Sequence, residues 1–353
     1  MKENKRIGVP RYFAATNGYQ GFISYFGEIF ASEDFSRIYV LKGGPGTGKS
    51  SFMKRISEHF SSLDCYVEEI YCSSDPHSLD GVIIANDSGR IALLDGTAPH
   101  ERDAAIPGAI DEIINLGDGW DERFLVAQRE EILSLSSEKS RSYKAAYSYL
   151  KIAGASYGFI KEVHLSNFDR LRAKNEAERL FGDIPISNVG SMSTRLISSF
   201  GRYGEQRLDT LDTFAKKRKA IGGSDTAAML FIDLCIEVLR DKGQNMIRLP
   251  YALDGSLTEG IFLVDRDAAI LRGEAKDIDA DEFISLSRTA TEQIKRAEEI
   301  RRDALEEAKR WFAIASDLHF RLEEIYGRAM NFDKNNELLA KKLSQIENIL
   351  EIV

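Results

Sequence analysis

The sequence predicts an α/β protein made of two similar halves, each a three-layer α/β/α core with a mainly parallel sheet and a long helical hairpin arm. A buried-strand pattern that runs through a glycine-rich turn into a helix predicts the α/β class. Segments of the first half recur in the same order in the second, which predicts a tandem duplication. Apolar residues at helical spacing near the end of each half predict the helical arm. We predict halves at 1–185 and 186–353, with arms at about 121–181 and about 281–353.

The composition is that of an ordinary globular chain. Hydrophobic residues make up 43% and charged residues 29% of 353 residues, a length sufficient for two cores. The net charge of -9 argues against non-specific binding to nucleic acid or to an anionic membrane. No apolar run approaches the roughly 18 residues of a membrane helix, and three cysteines are too few for a disulfide framework. We therefore expect a cytoplasmic protein that is not bound to a membrane.

A phosphate-binding loop is predicted where the first buried strand ends. The apolar residues 38–41 run directly into Gly43-Gly44-Pro45-Gly46-Thr47-Gly48-Lys49-Ser50, which matches G-x-x-x-x-G-K-[ST] in full. We call residues 43–48 the glycine loop. Such a loop turns its N–H groups toward a phosphate, and the helix that follows adds its positive end. Lys49 is predicted to contact the β- and γ-phosphates of ATP, and Ser51 to complete the nucleotide site; the alternative is a glycine-rich turn beside a surface lysine.

Two residues are predicted to bind Mg²⁺ beside that phosphate. The first is Ser50, whose hydroxyl follows the lysine of the motif. The second is Asp95, which ends the apolar run Ile91-Ala92-Leu93-Leu94, as a carboxylate does at the end of a strand next to a phosphate loop. An aspartate at a turn before Gly96 is the alternative. The complete motif upstream favours the metal role.

Other polar residues near this site have two interpretations each. Asp75 follows a predicted strand and could orient the attacking water or accept a proton, or Asp75-Pro76 could simply begin a turn. His100 could sense the γ-phosphate or approach a phosphoryl acceptor, or it could be an exposed loop residue. Arg102 is a candidate arginine finger. No glutamate that could activate water directly follows Asp95, so we expect slow or partner-triggered hydrolysis.

The second half repeats the segments of the first without their chemistry. The matched segments are 22–27 with 196–201, 43–50 with 222–229, 80–84 with 259–263, 92–96 with 269–273, and 167–169 with 331–333. In this alignment Ala228, Met229 and Arg272 stand in the positions of Lys49, Ser50 and Asp95. Asp225 would place a negative charge where a phosphate binds. We therefore predict a pseudo-copy that binds no nucleotide.

The arms are predicted from apolar residues spaced three and four apart. In the first arm these are Tyr143, Ala146, Leu150, Ala153, Tyr157 and Ile160. In the second they are Ala297, Ala304, Ala308, Trp311, Ala315, Leu318, Leu322, Ile325 and Ala329, followed by Leu339, Leu343, Ile346 and Leu350. Each set predicts the seam of a helical hairpin, and the arms could present a surface to a protein partner.

With these motifs the chain resembles uncharacterised bacterial tandem P-loop ATPases, in which two halves each carry a strand, a phosphate loop and a helical arm. The resemblance rests on residues 41–54, 71–84, 92–100 and 106–122, with a weaker trace at 325–337, and it spans essentially the full length. It implies ATP binding and hydrolysis but supplies no substrate or partner. Members commonly keep a working second loop, so the second half of this chain departs from the family.

Three functions remain open from the sequence. The first is a Mg²⁺-dependent ATPase with one site, whose nucleotide state moves the arms. The second is a phosphotransferase acting on a small molecule or nucleoside, and the third is a scaffold that binds ATP without hydrolysing it. No guanine-reading motif stands out, so ATP is the expected nucleotide. The oligomeric state is not predicted.

Overall fold

The computed structural model describes residues 9–63, 65–99, 101–187, 189–274 and 277–352. Within these residues the chain forms two six-stranded, mostly parallel sheets and two separate hairpins, which confirms the α/β class. No helix in the described ranges is long and apolar enough to cross a membrane.

In its described residues the first half contains eight strands and five α-helices. They are β1 (Arg11–Phe13), β2 (Ala15–Gly18), β3 (Gly21–Ser24), β4 (Arg37–Lys42), β5 (Tyr66–Tyr71), β6 (Leu79–Asn86), β7 (Gly89–Asp95), β8 (Asp111–Asn115), α1 (Phe26–Ile29), α2 (Lys49–Ser61), α3 (Glu122–Ala127), α4 (Arg129–Ser166) and α5 (Arg170–Leu180). The described elements of the second half follow the same order up to the last strand, which is followed by two α-helices instead of three. They are β9 (Met192–Thr194), β10 (Ser198–Gly201), β11 (Gly204–Arg207), β12 (Lys217–Gly222), β13 (Met246–Pro250), β14 (Thr258–Leu263), β15 (Ala268–Arg272), β16 (Ile278–Asp279), α6 (Thr210–Phe214), α7 (Asp225–Asp241), α8 (Arg288–Arg328) and α9 (Phe332–Ile349).

The two sheets have the same strand order. The first runs β1-β5-β6-β7-β4-β8, and the second runs β9-β13-β14-β15-β12-β16. In each sheet the third strand of this order is antiparallel to its neighbours, and the remaining pairs are parallel. β4 therefore lies between β7 and β8, so the residues that follow all three strands meet at one edge of the sheet.

The hairpins show that one sequence match was out of register. In β2–β3 Gly18 pairs with Gly21, and in β10–β11 Gly201 pairs with Gly204. Residues 15–24 thus correspond to 198–207, whereas the alignment matched 22–27 with 196–201. The apolar pattern of residues 21–30 also predicts one short amphipathic helix, and that prediction is wrong: Gly21, with a φ of +130°, begins the strand β3, and the helix α1 starts only at Phe26.

The prediction of a three-layer α/β/α core in each half needs a correction, because the inner faces of the two sheets share one core. Along β4 the buried side chains alternate between the two faces of the sheet. Tyr39 and Leu41 pack with α2 and α9 on the outer face. Ile38 and Val40 belong to a cluster that also contains residues of β13, β14 and β15 in the second sheet, with α1 and α6 contributing side chains between them. The layers are therefore helices, sheet, shared core, sheet and helices.

The prediction that each half carries its own helical hairpin arm is also wrong. The long helices α4 and α8 run antiparallel and pack against each other; Leu135 lies beside Leu318 and Leu322 at one end, and Ala146 and Ala308 share a cluster further along. A 38-residue helix spans about 57 Å, far more than the 11 residues of α5 could cover, whereas α8 has 41 residues. Each long helix therefore buries its apolar seam against the other long helix.

The short arm helices are exchanged between the halves. α5, from the first arm, places Ala173 and Ala177 against α7 of the second half. α9, from the second arm, places Leu339 and Ile346 in one cluster with Phe52 of α2 in the first half. Each sheet is thus covered on its outer face partly by a helix that belongs to the other half of the sequence.

Candidate functional site

The glycine loop joins β4 to α2 with a backbone that requires glycine. Gly43, Gly46 and Gly48 have φ values of +149°, +69° and +84°, a region that side-chain-bearing residues rarely adopt. Thr47 Oγ1 donates a hydrogen bond of 2.9 Å to the Gly44 carbonyl and fixes the inside of the turn. A Cβ atom on Gly43 would lie 2.7 Å from that hydroxyl. The loop is therefore a tight backbone cradle, as the motif predicts.

Lys49 connects this cradle to the neighbouring strand. Its Nζ donates to the carbonyl oxygens of Gly43 (3.0 Å) and Gly44 (2.9 Å) and lies 3.6 Å from Asp95 Oδ2. The side chains of Lys49 and Asp95 are only 11% and 13% exposed. Asp95 reaches this position because β7 is parallel to β4 and pairs it with Leu41 in register. The structure thus brings together the two residues that sequence motifs placed at this edge.

The residues predicted to bind nucleotide and metal lie in the loop and the first turn of α2. Those residues are Gly43, Gly44, Pro45, Gly46, Thr47, Gly48, Lys49, Ser50 and Ser51, of which Thr47 is buried and Ser51 exposed. Ser50 Oγ accepts a hydrogen bond of 2.9 Å from the Leu79 amide, which fixes the hydroxyl beside the start of β6. Asp95 Oδ1 accepts from both the amide (2.9 Å) and the hydroxyl (2.6 Å) of Thr97.

The remaining candidates have other partners or lie outside the described residues. Asp75 Oδ1 accepts a hydrogen bond of 3.0 Å from the His77 amide, the geometry of a turn. The Arg102 guanidinium donates to Ser32 (2.9 Å) and pairs with buried Asp111 (3.4 Å), so it braces the sheet edge rather than facing Lys49. His100 lies outside the described residues.

Sequence reasoning missed the side chains that cover the loop. Trp120 and Tyr326 flank Gly44, with ring centroids 5.7 Å apart, and a Cβ on Gly44 would lie 3.2 Å from the indole. The indole N–H of Trp120 is buried and has no hydrogen-bond partner among the described residues. Asn335 Nδ2 donates a hydrogen bond of 2.9 Å to the Thr47 carbonyl. Tyr326 and Asn335 belong to the junction of α8 and α9, so the second half lies directly on the loop of the first.

We expect Gly46→Ala to lower the free energy of unfolding by about 2 kcal/mol or more, because Gly46 combines left-handed backbone with a close contact. A Cβ atom there would lie 2.4 Å from the carbonyl oxygen of Glu323, which forces the end of α8 to move. Chemical denaturation measures the change. Gly158→Ala is the matched control: Gly158 lies within α4 with no heavy atom near its Cβ position, so alanine should stabilise by about 0.5–1 kcal/mol. Equal effects at both positions would contradict the contact.

The second half has no loop at the corresponding place. Only Gly223 and Ser224 separate β12 from α7, and α7 has 17 residues where α2 has 13. Three of the four additional residues, 225–227, precede the position aligned with Lys49 and form most of one helical turn in place of a glycine cradle. Ala228 and Met229, aligned with Lys49 and Ser50, are buried inside this helix. The alignment predicted lost side chains, whereas the backbone of the cradle is also missing.

The second half also has an ion pair at this edge of its sheet, but here the acidic residue lies on the helix and the basic residue ends the strand. Asp225 begins α7 and pairs at 2.7 Å with Arg272, which ends β15 as Asp95 ends β7. Arg272 also lies 3.1 Å from Glu205 and 3.4 Å from Glu259. Burial alone would lower the pKa of Arg272, but these carboxylates raise it above its ordinary value, so the guanidinium stays charged. The site holds a charge network, with Asp225 at the helix start rather than inside a cradle.

Comparison of the chain with protein-family models, with curated proteins and with solved structures finds no match. Among the described residues no group of three or more His, Cys, Asp or Glu side chains could hold a metal ion.

Proposed function

We propose that the chain binds Mg-ATP at a single site, the glycine loop of its first half, and hydrolyses the β–γ phosphoanhydride bond there. The observation that carries the proposal is the position of Lys49. Its ammonium group is held by two loop carbonyls and lies 3.6 Å from Asp95 in a largely buried site. A fixed cation next to a glycine cradle and a helix N-terminus is an arrangement suited to a polyphosphate.

Ser50 and Asp95 are the proposed Mg²⁺ ligands. Hydroxyl and carboxylate oxygens suit this ion, which usually takes one or two carboxylates together with water and substrate phosphates rather than a full protein cage. Asp95 fits this role because Thr97 holds Oδ1 while Oδ2 faces the Lys49 side. Bound Mg²⁺ would supply positive charge to the phosphate oxygens.

Slow basal turnover follows from the residues around the site. Asp75 is engaged in a turn, Arg102 is paired with Asp111, and no glutamate follows Asp95. A residue that activates water and an arginine finger would then come from a partner or from a rearrangement. The outer faces of α4 and α8 are the surfaces that the arms could offer to such a protein, because the seams of these helices are packed against each other.

We also propose that the second half is a duplicated P-loop core that lost its nucleotide site and now has a structural or regulatory role. The common strand order of the two sheets and the reversed ion pair of Asp225 and Arg272 support this origin. So does the resemblance to tandem P-loop ATPases. The lost cradle leaves one site per chain.

A phosphotransferase is the second candidate, and a cavity favours it. The segment that follows β5 is tied to Ser50 through the Leu79 amide, and Pro76 and His77 of that segment line a cavity of about 450 Å³ together with residues of the second half. The cavity is lined by Phe13, Pro76, His77, Tyr203, Gln206, Arg207 and Leu208. A small-molecule acceptor there would yield ADP without matching release of inorganic phosphate, which separates transfer from hydrolysis.

Tryptophan emission tests nucleotide binding, because Trp120 lies against Gly44 and the chain has one other tryptophan, Trp311. In the Trp311→Phe variant, Mg-ATP should change the emission in a saturable way. The matched Trp120→Phe variant, which keeps Trp311 away from the loop, should show no such change.

Phosphate release measured on the same samples, with Mg-GTP for comparison, then distinguishes an ATPase from an ATP-binding scaffold. Saturable binding without release would support the scaffold. Absence of both the emission change and nucleotide retention in equilibrium dialysis would refute the proposed site.

A further inference from the structure

The second half of the chain holds one peptide of the glycine loop in a fixed orientation. Asn335, in the first turn of α9, donates its side-chain amide to the carbonyl of Thr47 at 2.9 Å. That carbonyl belongs to the peptide that joins Thr47 to Gly48. In a trans peptide the C=O and N–H bonds point in opposite directions. Because Asn335 holds the carbonyl toward α9, the N–H of Gly48 points away from α9, and backbone N–H groups are the donors that a phosphate takes from such a loop.

Asn335 stands on an element that is fixed relative to the loop. α9 packs on α2, with Leu339 and Phe52 in the same buried cluster. Next to it, Arg55 of α2 donates a hydrogen bond of 2.6 Å to Asn336 Oδ1. Phe332 lies 3.4 Å from the position of a Cβ atom on Gly48. The amide is therefore presented by a rigid helix and not by a free surface side chain.

The other arm of the same molecule provides an internal comparison. Asn167-Phe168-Asp169 precedes α5 as Asn331-Phe332-Asp333 begins α9, which places Leu171 at the position of Asn335. Leu171 is 73% exposed. Its arm faces the short β12–α7 connection, where His164 lies 3.1 Å from Ser224 Oγ. The amide is thus present in the arm that meets a glycine loop, and an apolar residue stands in the arm that meets none.

We propose that Asn335 is a positioning residue for the nucleotide, acting from the second half through the peptide between Thr47 and Gly48. The inference rests on the proposed Mg-ATP site. It gives the second half a direct part in nucleotide binding, because the orientation of one donor in the cradle depends on how α9 is seated.

The experiment compares Mg-ATP affinity and thermal unfolding in four full-length proteins: the wild type, Asn335→Ala, Asn335→Asp and the neighbouring control Asn336→Ala. Loss of one aligned donor is expected to weaken binding about tenfold in Asn335→Ala. Asn335→Asp should weaken it at least as much, since its carboxylate would face the Thr47 carbonyl with two acceptors and no donor. Asn336→Ala should change affinity less than about twofold, because its bond to Arg55 is exposed.

The outcomes separate the inference from the function on which it rests. Reduced affinity in both Asn335 variants, with unfolding temperatures close to that of Asn336→Ala, supports the positioning role. Unchanged affinity overturns it and leaves the Mg-ATP site standing. An affinity loss that only follows a lowered unfolding temperature, or that Asn336→Ala shares, also overturns it, because seating of α9 would then explain the effect. If the wild type binds no Mg-ATP, both the site and the positioning role are overturned.

Discussion

Phosphate release from Mg-ATP is expected to fall by about 10²–10³-fold when Lys49 is replaced by alanine, the range seen when a preorganised donor to developing charge is removed. The ammonium group of Lys49 is held in place by the carbonyls of Gly43 and Gly44 and is 11% exposed. A water molecule in the space left by Lys49 would stabilise the developing negative charge less well, because it would have to reorient, whereas the ammonium group is already aligned. A phosphate-release assay at saturating Mg-ATP measures the change.

Lys54→Ala is the control for that experiment. Lys54 belongs to the same helix, but its Nζ donates to the His77 carbonyl at the surface. Its replacement should leave the rate within about twofold, as expected of an exposed contact away from the loop. Retention of more than a tenth of the rate in Lys49→Ala, or an equal loss in Lys54→Ala, would contradict the assigned role of Lys49.

The glycine loop could be predicted because its geometry is set locally, and Asp95 because a carboxylate at the end of a neighbouring parallel strand meets the same edge of the sheet. Strand, loop and helix are contiguous from Arg37 to Ser61, and the apolar run before Asp95 forms a strand that pairs with β4. A motif of this kind fixes both the backbone and the relative positions of its side chains. The roles of its residues toward ATP and Mg²⁺ remain predictions.

The side chains that cover the glycine loop could not be predicted, because their positions depend on which of the long helices pack against each other. The apolar spacing of α4 and α8 identified their seams but fits a hairpin as well as an antiparallel pair. Asn335 was part of a segment that the sequence resemblance marked only weakly. Nothing local to Asn335 shows that it contacts Thr47, which is 288 residues away.

The missing cradle of the second half did have a signal in the sequence. In the alignment Asp225 and Ala227 stand where the first half has Gly46 and Gly48, the residues with left-handed backbone. Without glycines the segment can wind into helix, and Asp225 is favourable at a helix start because of the helix dipole. An alignment that compares only side chains shows the loss of the ligand residues but does not show that the loop backbone has become helix.

Replacing Arg195 by alanine is expected to lower the free energy of unfolding by about 3–5 kcal/mol, the cost of leaving a buried charge without its partner. Arg195 Nε lies 2.5 Å from Oε1 of Glu68 in β5, and the two side chains are 7% and 4% exposed. Burial alone would lower the pKa of Arg195, but Glu68 raises it, so the pair is ionic. Since Arg195 belongs to the second half and Glu68 to the first, the pair joins the halves. Chemical denaturation measures the loss.

Two further variants separate the pair from a general effect of removing arginine. Arg288→Ala removes an arginine whose side chain is 93% exposed, so it should change the free energy of unfolding by less than about 1 kcal/mol. The double variant Arg195→Met with Glu68→Leu replaces both charges by apolar groups and should recover most of the stability, because no buried charge is then left unpaired. If the double variant is as unstable as Arg195→Ala, the loss reflects packing rather than an orphaned carboxylate, and the pair is not what holds the two sheets together at this point.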